Sequence, residues 1–171
     1  LGGWDWILPG TGADTINGGD GRDMVSFVDL ADTPGRPNGT YRMDLDLGAG
    51  KATSSNGDMY ELNSIERVTG TIFGDRMKGT AGDDDMRSSG DYDWFTATTG
   101  KDTMDGGTGD DMVSYVDYMG LVDTNLGSAL SSTGAPPMGG DVSGVVVDLA
   151  NTANNTHLAA GHTYISIERI T

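Results

Sequence analysis

Cysteine is absent from the chain, which excludes disulfide scaffolds, cysteine zinc sites and thiol chemistry. Glutamate is nearly absent too. Of 26 acidic side chains, 23 are Asp and only Glu61, Glu66 and Glu168 are Glu. A solvated helix face favours Glu, whereas Asp and Gly are poor helix residues; with 28 Gly in 171 residues, helical domains are largely excluded. Basic residues number only 10 and the net charge is -16, which argues against nucleic acid or an anionic membrane as partner, since both are polyanions. No run approaches the roughly 20 apolar residues of a membrane-spanning helix. The chain opens at Leu1 in the middle of a pattern, with no basic leader before an apolar stretch, and so reads as an internal or mature segment. No G-x-S-x-G elbow, H-E-x-x-H pair or Gly-Lys phosphate loop occurs, so no hydrolase or nucleotide motif is present.

Such a composition also suits a disordered acidic tract, but the order of the residues excludes that. Asp5, Asp14 and Asp23 stand nine residues apart, as do Asp75, Asp84, Asp93, Asp102 and Asp111. Two residues after each comes an apolar side chain: Ile7, Ile16, Val25, Met77, Met86, Phe95, Met104 and Val113. Two residues before, Gly stands in six of the eight units, the departures being Phe73 and Asp91. The clearest units are GGDGRDMVS at 18–26 and GGTGDDMVS at 106–114.

This pattern predicts an all-β fold, a right-handed parallel β-roll or β-helix, in which glycines form tight bends and D-x-U-x forms a short strand. Two nonapeptides complete one coil, so loops eighteen residues apart stack. Asp75, Asp93 and Asp111 then line one edge, and Asp84 and Asp102 the other; Asp5 stacks on Asp23 with Asp14 opposite. Bare stacked carboxylates repel, and a hard cation between them reverses the sign. Calcium, which takes six to eight oxygen ligands in a flexible shell, suits this arrangement better than octahedral magnesium. Pairs 75/93, 84/102, 93/111 and 5/23 predict about four calcium ions or more.

These units resemble the repeats-in-toxin family, the glycine-rich, hemolysin-type nonapeptide repeats of secreted bacterial proteins. The resemblance covers roughly 1–26 and 70–114. It implies calcium held by Asp5, Asp14, Asp23, Asp75, Asp84, Asp93, Asp102 and Asp111, with carbonyls from residues such as Gly18, Asp20, Gly106 and Thr108. Thr80, Ser88, Ser89, Ala97 and Thr98 depart from the family's opening Gly pair, which implies weaker or absent sites there, particularly around Asp93. The resemblance also implies an extracellular or bacterial cell-surface location and export through a one-step (type I) secretion channel.

A longer repeat contains the short one. DMVSFVD at 23–29 returns as DMVSYVD at 111–117, MDLDL at 43–47 as VVVDL at 145–149, and SIERVT at 64–69 as SIERIT at 166–171. Two modules are expected, 1–69 (nonapeptides 1–26, wider rungs 27–69) and 70–171 (nonapeptides 70–114, wider rungs and an inserted loop 115–171). The insertion is placed within 120–143, a Gly- and Ser-rich loop, and a further array is expected to follow Thr171. Alternation of Tyr41, Met43, Leu45 and Leu47 with polar residues predicts a strand with one buried face. So thin a roll buries little apolar surface, so metal binding is expected to supply much of its folding free energy.

The remaining features read as structural. Glu66-Arg67 and Glu168-Arg169 are expected to support a turn or an interstrand ion pair rather than catalysis. His157 and His162 have no third ligand patterned around them. Trp4, Trp6, Tyr92 and Trp94 suit stacking on sugar rings, but end capping or core filling is the simpler account. Asn38-Gly39-Thr40 and Asn154-Asn155-Thr156 match glycosylation acceptors only by short motif. The expectation is a non-catalytic, calcium-binding β-roll segment of a larger secreted or surface protein, partnered by calcium and by adjacent domains, that folds on calcium binding after export. The alternatives are a polysaccharide- or glycan-binding module or adhesin spacer, and, less favoured, a polysaccharide-modifying enzyme.

Overall fold

In the computed structural model, residues 2–32, 41–115, 149–151, 153, 155 and 159–171 are described. The first five strands are β1 (Gly2–Gly3), β2 (Trp6–Ile7), β3 (Ala13–Asn17), β4 (Asp20–Gly21) and β5 (Met24–Ser26). A short 3-10 turn at Val28–Asp32 precedes β6 (Met43–Asp46), β7 (Lys51–Ser54), β8 (Met59–Asn63) and β9 (Arg67–Thr69). The nonapeptide run adds β10 (Arg76–Lys78), β11 (Asp85–Arg87), β12 (Trp94–Thr96), β13 (Thr103–Asp105) and β14 (Met112–Ser114). The last strands are β15 (Thr163–Ile165) and β16 (Arg169–Ile170). No α-helix occurs among the described residues.

The strands are short because each must end where the next glycine bend begins, and alternate strands fall on opposite sheets. One sheet runs β15-β13-β11-β9-β5-β2 and is parallel throughout. The other runs β16-β14-β12-β10-β6-β7-β8-β3. Within the nonapeptide run, strands pair in parallel at the expected eighteen-residue spacing, as in Met77↔Phe95↔Val113 and Met86↔Met104.

The apolar residue two places after each Asp points between the sheets. Val25, Val68, Met86 and Met104 stack on one side and Leu45, Met77, Phe95 and Val113 on the other, all buried. The two columns make one continuous core. Each fully buried Val, Met or Phe contributes roughly 1.5–3 kcal/mol.

The interval before residue 64 differs from a stack of parallel rungs. Met43–Asp46 is a strand with Met43 and Leu45 buried, as the alternation predicts, but it folds back through a turn at 47–50 into antiparallel β7 and then antiparallel β8. Gly50 and Gly57, both at positive φ, lie in these reversals. This meander widens one sheet and separates β3 from the nonapeptide run, so Asp14 pairs in register with Tyr60 and not with another repeat Asp. The expected insertion at 120–143, Val145 and Val147, His157, Asn38-Gly39-Thr40, and Asn154 and Thr156 of the second glycosylation match lie outside the described residues.

Candidate metal centre

The repeat Asp residues stand at the bends before the short strands, and they are inward-facing. Asp23, Asp75, Asp84, Asp93, Asp102 and Asp111 are all at most 2% exposed, whereas Asp5 and Asp14 are half-buried. Four of these carboxylates are tied to the neighbouring rung. The Asp75 N–H donates to Asp93 Oδ1 (2.7 Å), Asp93 N–H to Asp111 Oδ1 (2.8 Å), Asp84 N–H to Asp102 Oδ1 (3.1 Å) and Asp5 N–H to Asp23 Oδ1 (2.8 Å). The stacked pairs are therefore 75/93, 93/111, 84/102 and 5/23, eighteen residues apart.

Two glutamates outside the nonapeptides enter the same columns. Asp23 N–H donates to Glu66 Oε2 (3.0 Å) and Asp111 N–H to Glu168 Oε2 (2.8 Å). Register agrees, because Arg67 pairs with Met24 and Asp85, and Arg169 with Met112. The S-I-E-R segments are thus rungs with Glu in the Asp place, and the arginines turn to Asp85 (3.2 Å) and Asp110. The signal was present in the sequence: Glu66 lies nine residues before Asp75. His162 follows Asp102 in one column, its Nε2 3.6 Å from Asp102 Oδ2. Burial lowers its pKa and favours the neutral ring.

The second carboxylate oxygen divides the rungs into two kinds. Where Thr occupies the second place of the unit, Oδ2 is satisfied by protein. Thr71 N–H (2.6 Å) serves Asp75, Thr80 N–H (2.7 Å) and Oγ1 (2.9 Å) serve Asp84, and Thr98 Oγ1 (2.9 Å) serves Asp102. Where Gly or Ser stands there, Oδ2 of Asp14, Asp23, Asp93 and Asp111 is buried without a hydrogen-bond partner. An unsatisfied buried carboxylate oxygen costs a few kcal/mol, so these four oxygens fit a bound cation. Among the departures from the Gly pair, Thr80 and Thr98 supply these donors to Asp84 and Asp102, and Ser88 Oγ donates to Asp75 Oδ2 (3.3 Å).

The glycines shape the same cradle. A Cβ on Gly18 would overlap Asp23 Oδ2 and Ser64 O, and one on Gly106 would overlap Asp111 Oδ2 and Ser166 O. The other expected carbonyl donors sit in the outer loops. Asp20 pairs with Gly2 in β1–β4, and Thr108 Oγ1 donates to Ser89 O (3.2 Å). Among the described residues no three His, Asp or Glu side chains close round one point, because each column offers one carboxylate per rung. An ion here takes the rest of its shell from backbone carbonyls and water, as calcium does.

Without a cation the columns resist ionisation. Burial pushes the Asp93 carboxyl up to about 8, with the charges of Asp75 and Asp111 adding to it, and pushes Asp75 and Asp84 to about 6. Asp102 is raised by burial, and Asp111 by burial and then by Glu168. A divalent ion removes that penalty by offsetting the charge in place.

Core filling does not hold for three of the aromatics. Trp4, Trp6 and Tyr92 are 75%, 68% and 62% exposed, with Arg67 over the Trp4 ring and Arg169 over Tyr92. No helix among the described residues is long and apolar enough to cross a membrane.

No curated protein matches the chain. Residues 1–33 and 78–113 match the family model of the RTX calcium-binding nonapeptide repeat, in four copies. Seven of the eight repeat aspartates, all but Asp75, thus lie within residues similar to RTX calcium-binding nonapeptide repeats, a motif typical of secreted and cell-surface bacterial proteins.

Proposed function

We propose that this chain is a calcium-loaded folding module of a larger secreted or cell-surface protein, collapsing into its roll only after export and stabilising the domains beside it. The observation that carries this reading is the set of buried, unpartnered Oδ2 atoms on Asp14, Asp23, Asp93 and Asp111. Asp5, Asp75, Asp84 and Asp102 share the columns and complete the proposed ligand set, with carbonyls of the Gly18–Asp20 and Gly106–Thr108 loops; about four ions are proposed. At low calcium the excess of acid keeps the chain expanded. In millimolar external calcium, sites of roughly 10⁻⁴–10⁻³ M fill and the roll forms. The two modules, 1–69 and 70–171, are proposed to be duplicates, a reading supported by the matching Asp23–Glu66 and Asp111–Glu168 contacts.

Calcium titration followed by far-ultraviolet circular dichroism tests the proposal. A cooperative gain of β signal and of melting temperature is expected. Full β signal in chelator, unchanged by calcium, refutes coupled folding.

A second reading rests on the exposed rings of Trp4, Trp6 and Tyr92, which suit stacking on sugar faces and a glycan-binding or adhesin-spacer role. A glycan screen with and without calcium separates the two. Calcium-dependent retention lost in a Trp4→Ala/Trp6→Ala variant supports glycan binding, and no retention of any glycan removes it.

A further inference from the structure

The two S-I-E-R segments share a feature that a turn or an ion pair does not need. Ser64 and Ser166 both adopt the left-handed conformation, at φ 53° and 49°, which costs a non-glycine residue on the order of 1 kcal/mol. In both copies that turn brings the serine carbonyl against the first glycine of a G-G-x-G-x-D loop. Ser64 O and Asp23 Oδ2 converge on the place a Gly18 Cβ would occupy, and Ser166 O and Asp111 Oδ2 on that of Gly106. Asp23 and Asp111 are fully buried, and both Oδ2 atoms lack a partner. The glutamate two residues on then places its carboxylate on the N–H of the same aspartate, at 3.0 and 2.8 Å.

We infer that each S-I-E-R turn completes a divalent-cation site with the glycine loop facing it: Asp23 Oδ2, Ser64 O and Glu66 in one, Asp111 Oδ2, Ser166 O and Glu168 in the other. The inference rests on the calcium reading of the nonapeptides and extends it to residues outside them. At each turn an Asp Oδ2 with no hydrogen-bond partner, a carbonyl presented by a left-handed serine and an added carboxylate form the hard-oxygen set that calcium takes. The arginine next to each glutamate does not neutralise it, because Arg67 pairs with Asp85 and Arg169 with Asp110. The glutamates therefore leave two negative side chains at each loop, a net attraction for a divalent ion. The duplication is itself informative. The same three parts recur although the intervening chain differs in length by fourteen residues.

The test is isothermal titration of calcium into Glu66→Gln, Glu168→Gln and the double variant, with terbium luminescence as a second readout. Terbium replaces calcium at oxygen sites, and Trp4 and Tyr92 lie beside Arg67 and Arg169, close enough to each turn to sensitise it. Gln keeps an acceptor for the aspartate N–H, so a purely structural glutamate leaves calcium binding intact. Each single variant is expected to lose one calcium, or to bind one at least tenfold more weakly, and the double variant two. Glu168 is exposed, so Glu168→Gln keeps the test open if Glu66→Gln fails to fold. Unchanged stoichiometry and affinity in the Gln variants, with calcium lost in Asp93→Asn, overturns this inference and leaves the array standing. Unchanged binding in Asp93→Asn as well overturns both.

Discussion

Replacing Asp93 by Asn is expected to have opposite effects with and without calcium, and the structure fixes the sign. Asp93 is 2% exposed and its carboxyl is pushed from 3.8 to about 8 by burial. An acid raised on folding binds a proton that the unfolded chain releases, so metal-free stability falls as pH rises from about 4 to about 8. At 1.36 kcal/mol per pKa unit, Asp93 costs the metal-free fold about 4 kcal/mol at pH 7 and about 2 kcal/mol at pH 5. Asn removes that cost and still offers a carbonyl oxygen to the Asp75 N–H, which Asp93 Oδ1 accepts at 2.7 Å. It leaves an amide where the unpartnered Oδ2 lay, at about 1–3 kcal/mol. In chelator, Asp93→Asn is therefore stabilising by about 1–3 kcal/mol at pH 7 and near neutral at pH 5. In calcium it is destabilising, because a charged ligand is gone. The assay is thermal and urea unfolding by circular dichroism at both pH values, in chelator and in calcium. Where the chelated wild type is unfolded at pH 7, the readout is its gain of β signal on acidification, which the variant reduces. A metal-free variant less stable than wild type at both pH values refutes the reasoning.

Four further outcomes are expected. Gly106→Ala, whose Cβ would overlap Asp111 Oδ2 and Ser166 O, is expected to abolish calcium-dependent folding, whereas Gly82→Ala, with only Thr80 Oγ1 at 3.5 Å, stays within about 0.5 kcal/mol of wild type in melts. Thr80→Val removes one donor from Asp84 and is expected to cost about 1–2 kcal/mol in calcium without lowering the calcium count. A lower calcium count instead would show that the Thr80 hydroxyl is needed to hold the ion at Asp84. Met104→Ala empties a fully buried site between the sheets and is expected to cost about 2–5 kcal/mol by urea unfolding in calcium. Chelation of the folded protein is expected to cause greater loss of β signal at pH 7 than at pH 5, because protonation of Asp75, Asp84 and Asp93 substitutes for part of the lost cation charge.

The nine-residue phase by itself determined the strand positions, the buried apolar column and the eighteen-residue pairing of the aspartates. A repeat forces equivalent residues into equivalent places whatever lies around them. Its lack of helix-forming Glu and its abundance of Gly and Asp determined the all-β class. Three things were settled only by tertiary structure. The meander at 43–63 reverses direction at turns that alternation of apolar residues does not encode, since antiparallel and parallel strands share a period of two. The division into rungs with satisfied and unsatisfied Oδ2 follows whether Thr, as against Gly or Ser, stands four residues before the Asp, and that donor matters only once the bend brings it within hydrogen-bond distance. Membership of Glu66 and Glu168 in the columns turned on register. Glu66 kept the phase in sequence, but Glu168 is joined to Asp111 across fifty-seven residues, and only the closure of the sheet over that distance places one above the other.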